Sequence, residues 1–314
     1  MLHFIVKRVL MGVALLLGVS TVTYALIYSG GSNIADQVLG GEASPEAVAA
    51  KAAELGLDQP LWQQYLGWLA GAVHGDLGTS WYTSQDVLTT ILQRLSVTLS
   101  IVVLSIVLVT IFSVCVGVLA AVKRGWIDSA LQFVSVIGLA LPSFWVALVL
   151  VLVFAISLHV LPATGFVPFA KSPSAWFSSV ILPVTALSIG ASSATAQQVR
   201  SAVISVLEQD YIRTLRARGL SGRRVLWGHV LRNAAPPALT VLSLQFISLV
   251  GGAVIIERVY AINGMGSLAV DSTLKNDIPV VVGVMVTMTV VVVIVNLAID
   301  ILNGFINPKA RIES

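Results

Sequence analysis

Six stretches of this chain, residues 9–35, 95–122, 129–170, 172–199, 233–256 and 278–299, contain no Asp, Glu, Lys or Arg. Crossing a bilayer core takes about 20 apolar helical residues, and each stretch is long enough. In lipid the backbone polar groups must be satisfied within the segment, which makes such spans helical. The sequence therefore predicts an all-α integral membrane protein with six helices, at about 9–28, 96–121, 131–158, 178–199, 237–256 and 279–301. The longest stretch is read as one span, because Leu161-Pro-Ala-Thr-Gly165 and Pro168 mark a loop. Only 11% of the residues are charged, against roughly 25% in soluble domains.

The clustered charges set the expected orientation. Seven arginines lie between Arg200 and Arg232, flanked by charge-free stretches on both sides. With the N-terminus inside, Lys7, Arg8, Lys123, Arg124, these seven, Lys309 and Arg311 place 13 of 18 cations on the cytoplasmic side. Only Asp128, Glu208, Asp210 and Glu313 accompany them there. The outer pieces hold five cations and ten anions, so the positive-inside bias places both termini in the cytoplasm. The net charge of +3 reports topology, not nucleic-acid binding. Lys7-Arg8 before an apolar run looks like a signal peptide, but no small-residue cleavage site follows, and an uncleaved anchor is expected.

Two regions are expected along the chain. Residues 1–94 form an N-terminal anchor plus an extracytoplasmic helical insertion, and residues 95–314 form a five-span core. Within the insertion, Ser44-Pro45-Glu46 reads as a helix start and Gly56 as its stop. A second helix begins near Pro60, with Trp62, Tyr65, Leu66 and Leu69 on one face. Trp81 and Tyr82 suit an interfacial belt. The segment of about 200–237 reads as helix, break, helix. Val203, Val206, Leu207, Tyr211 and Leu215 form an apolar face, Gly219 and Ser221-Gly222 interrupt it, and Val225, Leu226 and Val230 resume it. Its length far exceeds that of a turn, which favours a docking element over a bare positive-inside loop. Both ends run into spans, which sets a DNA-binding helix-turn-helix aside. Gly138, Pro142 and Pro183 are expected to kink helices or to allow close packing.

Several chemistries lack their residues. No Gly-Lys dipeptide occurs, so the chain has no Walker A loop. His3, His74, His159 and His229 are far apart and belong to no metal-ligand pattern, and Cys115 stands alone, without an intrachain disulfide partner. The cores of spans two to five hold no ionisable group of the kind proton-driven carriers use. The expectation is a chain with no catalytic residue, no metal and no cofactor of its own, driven from outside the polypeptide.

These features meet a known pattern. Asp210-Tyr-Ile-Arg-Thr-Leu-Arg-Ala-Arg-Gly219, followed by Ala235-Pro236, resembles the EAA-type loop of bacterial ABC-importer permeases in its peptide-branch version. Ile212, Leu215 and Arg218 are the substitutions, and Arg213-Thr214-Leu215 stands where the broad motif has Glu-Ala-Ala. Further similarity runs through Gly117-Val-Leu-Ala-Ala-Val-Lys-Arg124 with Asp128, Leu141-Pro-Ser-Phe-Trp145, Leu161-Pro-Ala-Thr-Gly165, Glu257-Arg-Val-Tyr260, Gly264-Met-Gly266 and Asp277-Ile-Pro279. Asn263 replaces a usual proline, and Ser29-Gly-Gly-Ser32 stands where the branch has Pro-Gly-Asp-Pro. The chain thus resembles the first of two paralogous permeases in the dipeptide, oligopeptide and nickel branch.

The resemblance implies half of a heterodimeric pore in the bacterial inner membrane. A second permease, two ABC ATPases carrying ATP and Mg, and an extracytoplasmic solute-binding protein complete the assembly, with a peptide as cargo and no nucleic acid. It further implies that Asp210, Tyr211, Arg213, Arg216, Ala217, Arg218, Gly219 and Pro236 belong to the ATPase-coupling loop, its apolar face being the buried contact and its arginines the rim. Glu257, Gly264, Gly266, Asp277 and Pro279 are the outer-loop motif. A stand-alone secondary carrier and a membrane-embedded enzyme are the alternatives. Nickel complexes, glutathione and haem are alternative cargoes.

Overall fold

The computed structural model describes residues 2–30, 34–41 and 43–306. Lys309, Arg311, Glu313 and part of the Ser29–Ser32 segment lie outside them. The described residues are helical and contain no strand, only an isolated bridge between Thr79 and Asp86. Among the described residues five helices are long and apolar enough to span a membrane, and a bent pair makes six if counted as one span.

The broken pair bears out the kink expected at Pro142 within the span at 131–158. Helix α6 (Trp126–Ala140) ends and α7 begins at Ser143, continuing as a π-helical turn over Val151–Ser157, with a 94° bend between them. Pro142 explains the break. It has no N–H to donate, and its ring disfavours helical geometry at Leu141, which is extended at φ −83°, ψ 118°. Pro183, by contrast, lies inside α8 (Pro173–Leu207), a helix that outruns its expected limits of 178–199 at both ends.

The chain forms two compact units. One comprises Val6–Val97 and Asn263–Val293. In it, α1 (Leu2–Gly30) meets α4 (Leu61–Val73) through Tyr24, whose ring lies 5.6 Å from Tyr65 and 6.5 Å from Trp68. The Tyr65 hydroxyl also bonds Ser20 and Thr21 of α1. The packed face of α4 is therefore Leu61, Tyr65, Trp68 and Ala72. Of the face expected from sequence, Tyr65 packs but Trp62 and Leu66 are exposed, which is a correction by one residue step. Between α1 and α4 come α2 (Ile34–Leu39) and α3 (Pro45–Glu54). Helix α3 is capped as expected: the Ser44 hydroxyl accepts from Ala47 N, and Pro45 opens the first turn. Trp81 packs on the apolar cluster of Tyr24, Ile34, Ile278 and Val282.

The second unit is built around Thr98–Ile262. Helix α5 (Val87–Lys123), whose first residues belong to the other unit, supplies its remainder here. Helix α8 packs on α6, α7 and α11 (Leu231–Val259). Small residues permit the closest approaches. A Cβ on Gly117 would lie 2.7 Å from the Ala196 carbonyl oxygen, and one on Gly138 would lie 2.1 Å from Ser193 Oγ.

Candidate functional site

The arginine-rich segment folds as three short pieces between α8 and α11. Helix α8 runs on to Leu207, beyond the last residue expected of its span, and Gln209 is then extended at φ −67°, ψ 143°. Helix α9 (Asp210–Ala217) follows, then α10 (Gly222–Val225), and a π-helical turn over Leu226–Val230 leads into α11.

Gly219 terminates α9. Its φ of +84° lies in the left-handed region, which penalises residues with a Cβ. Gly219 N donates to Arg216 O at 3.0 Å, and Leu220 N donates to Leu215 O at 3.3 Å. Together these form a Schellman cap, which satisfies carbonyls at the helix end. Nothing lies within 4 Å of where a Gly219 Cβ would stand, so the requirement for glycine is conformational and not steric.

The segment's apolar side faces the chain itself. Ile212, Val225 and Val230 are at most 1% exposed. They cluster with Val199, Val203 and Ala234, with Val206, Leu207 and Leu215 packed against them. This corrects the expectation that the apolar face is the partner contact. It also replaces Tyr211, which is 42% exposed, with Ile212 as the buried residue of α9. The Tyr211 hydroxyl instead accepts from Asn233 Nδ2 at 3.2 Å, tying α9 to the start of α11.

The side away from that cluster is charged. Asp210, Arg213, Arg216, Arg218, Arg223 and Arg224 are exposed, as are Ala217 and Gly219. Among the described residues the ion pair that links two of them is exposed and long, Arg213 Nη1 to Asp210 Oδ1 at 3.5 Å, which in water contributes little. Pro236 is half-buried inside α11, on the same unit as the loop. A crevice of about 460 Å³, lined by Arg200, Ile204, Glu208 and Asp210 among others, opens at the α8–α9 corner. Beside it Arg200 makes a two-pronged pair with Asp128 of α6, which fixes the exit of α8. Sequence reasoning passed over Trp227. It is 66% exposed among the arginines, and a lone tryptophan off the apolar phase of a basic segment was the available signal.

The outer-motif residues divide between the two units. Glu257 lies within α11, not in a loop; it is fully buried and accepts a hydrogen bond from Thr98 Oγ1 of α5 at 2.5 Å. The other four belong to the first unit. Gly264 caps α12 (Met265–Leu274), and Gly266 is buried within it, so a packed helix occupies what the sequence suggested was loop. Asp277 precedes α13 (Ile278–Ile306), whose first turn contains the buried Pro279. The Asp277 carboxylate accepts from Ser80 Oγ at 2.6 Å and from Trp81 N at 3.2 Å. Burial pushes its pKa up, and these two hydrogen bonds oppose the shift.

Comparison with known proteins places this architecture. A chain of the MetNI methionine ABC transporter, in an inward-facing crystal form, superposes with a TM-score of 0.56 at 18% identity, covering 70% of this chain and 97% of that one. The "Putative peptide transport system permease protein" of Brucella abortus (strain 2308) is 38% identical over 100% of both chains. The dipeptide transport system permease protein DppB of Escherichia coli (strain K12) is 33% identical over 99% of both. Residues 1–102 match the family model for the N-terminal part of binding-protein-dependent transport system membrane components. Residues 113–312 match the model of the inner membrane component itself, and the chain belongs to the family of binding-protein-dependent transport system inner membrane components.

Proposed function

We propose that this chain is a permease subunit of an ATP-driven peptide importer, forming half of the translocation pathway in an inner membrane. The observation that carries this reading is full-length similarity to permeases named for peptide and dipeptide transport. Work reaches the chain through residues 210–237, on which partner ATPases act. The geometry supports that role. A short helix stopped by a glycine cap and pinned from below by Ile212 is a rigid part that can move as a body. Its exposed arginines, together with Tyr211 and Trp227, supply the residue types that dominate protein interfaces. Both termini and this segment lie on the cytoplasmic side. ATP and Mg belong to the partner ATPases, and a second permease and a solute-binding protein complete the assembly.

Reconstitution tests the proposal. The chain alone should not hydrolyse ATP, whereas the full assembly should show peptide-stimulated hydrolysis. Peptide uptake by this chain without ATPases would establish the secondary carrier instead, and substrate turnover by the purified chain would establish an enzyme.

A further inference from the structure

We infer that a second site on this unit binds the phosphate group of an anionic phospholipid. A pocket of about 540 Å³ lies where the end of α5 meets α8 and the arginine-rich segment. Arg124, Arg216 and Arg223 line it, together with the apolar Ala121, Leu207 and Leu226. Arg124 pairs with the exposed Glu208 at 3.1 Å. The guanidinium groups of Arg216 and Arg223 have no ion-pair or hydrogen-bond partner among the described residues. After Glu208 is counted, two uncompensated positive charges stand beside an apolar floor. Guanidinium matches a phosphate with paired donors, and the floor suits the start of an acyl chain.

Depth supports the lipid source. The charge-free stretch 95–122 ends at this pocket. At ~1.5 Å per residue it rises about 42 Å, close to a bilayer's thickness with its headgroup layers. Val122 therefore stands near the outer edge of the headgroup layer, and the long Arg124 side chain beside it can reach back into that layer. Basic pockets between spanning helices at that level are suited to anionic headgroups. The proposed orientation decides only which leaflet supplies the lipid, so the site stands or falls apart from that reading.

Native mass spectrometry of the full-length chain with its partner subunits tests the site, by titration with dioctanoyl phosphatidylglycerol, dioctanoyl phosphatidylcholine and inorganic phosphate. Phosphatidylglycerol should bind in preference to phosphatidylcholine. Replacing Arg124→Gln and Arg223→Gln together should weaken it about 25-fold, at about fivefold for each cation lost. Arg232→Gln, which removes one such charge outside the pocket, should leave binding unchanged. Stronger binding of phosphatidylglycerol than of inorganic phosphate assigns the lipid, whereas equal binding assigns a soluble phosphate and overturns the lipid. Binding insensitive to the double substitution overturns the site.

Discussion

Truncating Ile212 should loosen the arginine-rich segment whether or not ATPases are bound. Ile212 is fully buried among Val203, Val225, Val230 and Ala234. Ile212→Ala removes three carbons from that cluster, which costs about 2.4 kcal/mol at ~0.8 per buried methylene. The cavity left behind adds to this, within the usual range of about 2–5 kcal/mol. A loss of about 2.4 kcal/mol corresponds to a roughly fiftyfold rise in the open population of the segment. Amide hydrogen exchange reads that population directly where opening is local. The amides of residues 210–225 should therefore exchange about fiftyfold faster in Ile212→Ala. Ile212→Val should have a smaller effect, and the exposed Arg213→Ala almost none. The acceleration should be the same in the isolated chain and in the full assembly. If it appears only when ATPases are present, Ile212 faces the partner, and the assignment of the apolar side to the chain's own core is wrong.

The sequence revealed the spans because charge in lipid is costly, and six charge-free stretches leave few alternatives. The cap at Ser44 and the stop at Gly219 were also legible, since each depends on local backbone chemistry alone. Phase was harder to read. The apolar face drawn through Val203, Leu207, Tyr211 and Leu215 assumes one continuous helix, but the extended Gln209 breaks it and resets the rotation, bringing Ile212 inward instead of Tyr211. Helix α4 failed for another reason. Leu61-Trp-Gln-Gln-Tyr-Leu-Gly-Trp-Leu is apolar on more than one side, and only the position of Tyr24 on α1 selects the face that packs. Glu257 stood one residue past a charge-free stretch and read as loop, because its partner Thr98 is 159 residues away in sequence. Local rules carry local structure; the choice between two apolar faces belongs to the neighbours.

Four further outcomes are expected. Cysteines placed at the exposed Ser44 and Ser221 should react with impermeant reagent from the outer and the cytoplasmic side respectively, and reversed reactivity at either would overturn the orientation. Gly219→Trp should leave assembly intact while lowering stimulated ATP hydrolysis. Its left-handed φ costs a side chain roughly 1–2 kcal/mol, and Gly219→Ala should show a milder form of the defect. Reversing Arg213 and Arg216 to Glu should weaken ATPase docking or stimulation, and unchanged stimulation would leave both as topology signals only. The last outcome concerns Asp277, whose carboxyl is raised from its ordinary 3.8 by burial. A carboxyl with a folded pKa above its unfolded value holds its proton more tightly in the folded state. Its contribution to stability is therefore full below the unfolded pKa and disappears as pH rises through the folded one. Asp277→Asn keeps the size and an acceptor for Ser80 but cannot ionise. The difference in melting temperature between wild type and Asp277→Asn should shift with pH in one step that begins near pH 4 and moves against the wild type. A difference flat across that window would mean that the hydrogen bonds from Ser80 and Trp81 balance burial, and one moving in the wild type's favour as pH rises would mean that they outweigh it and hold the ionised form.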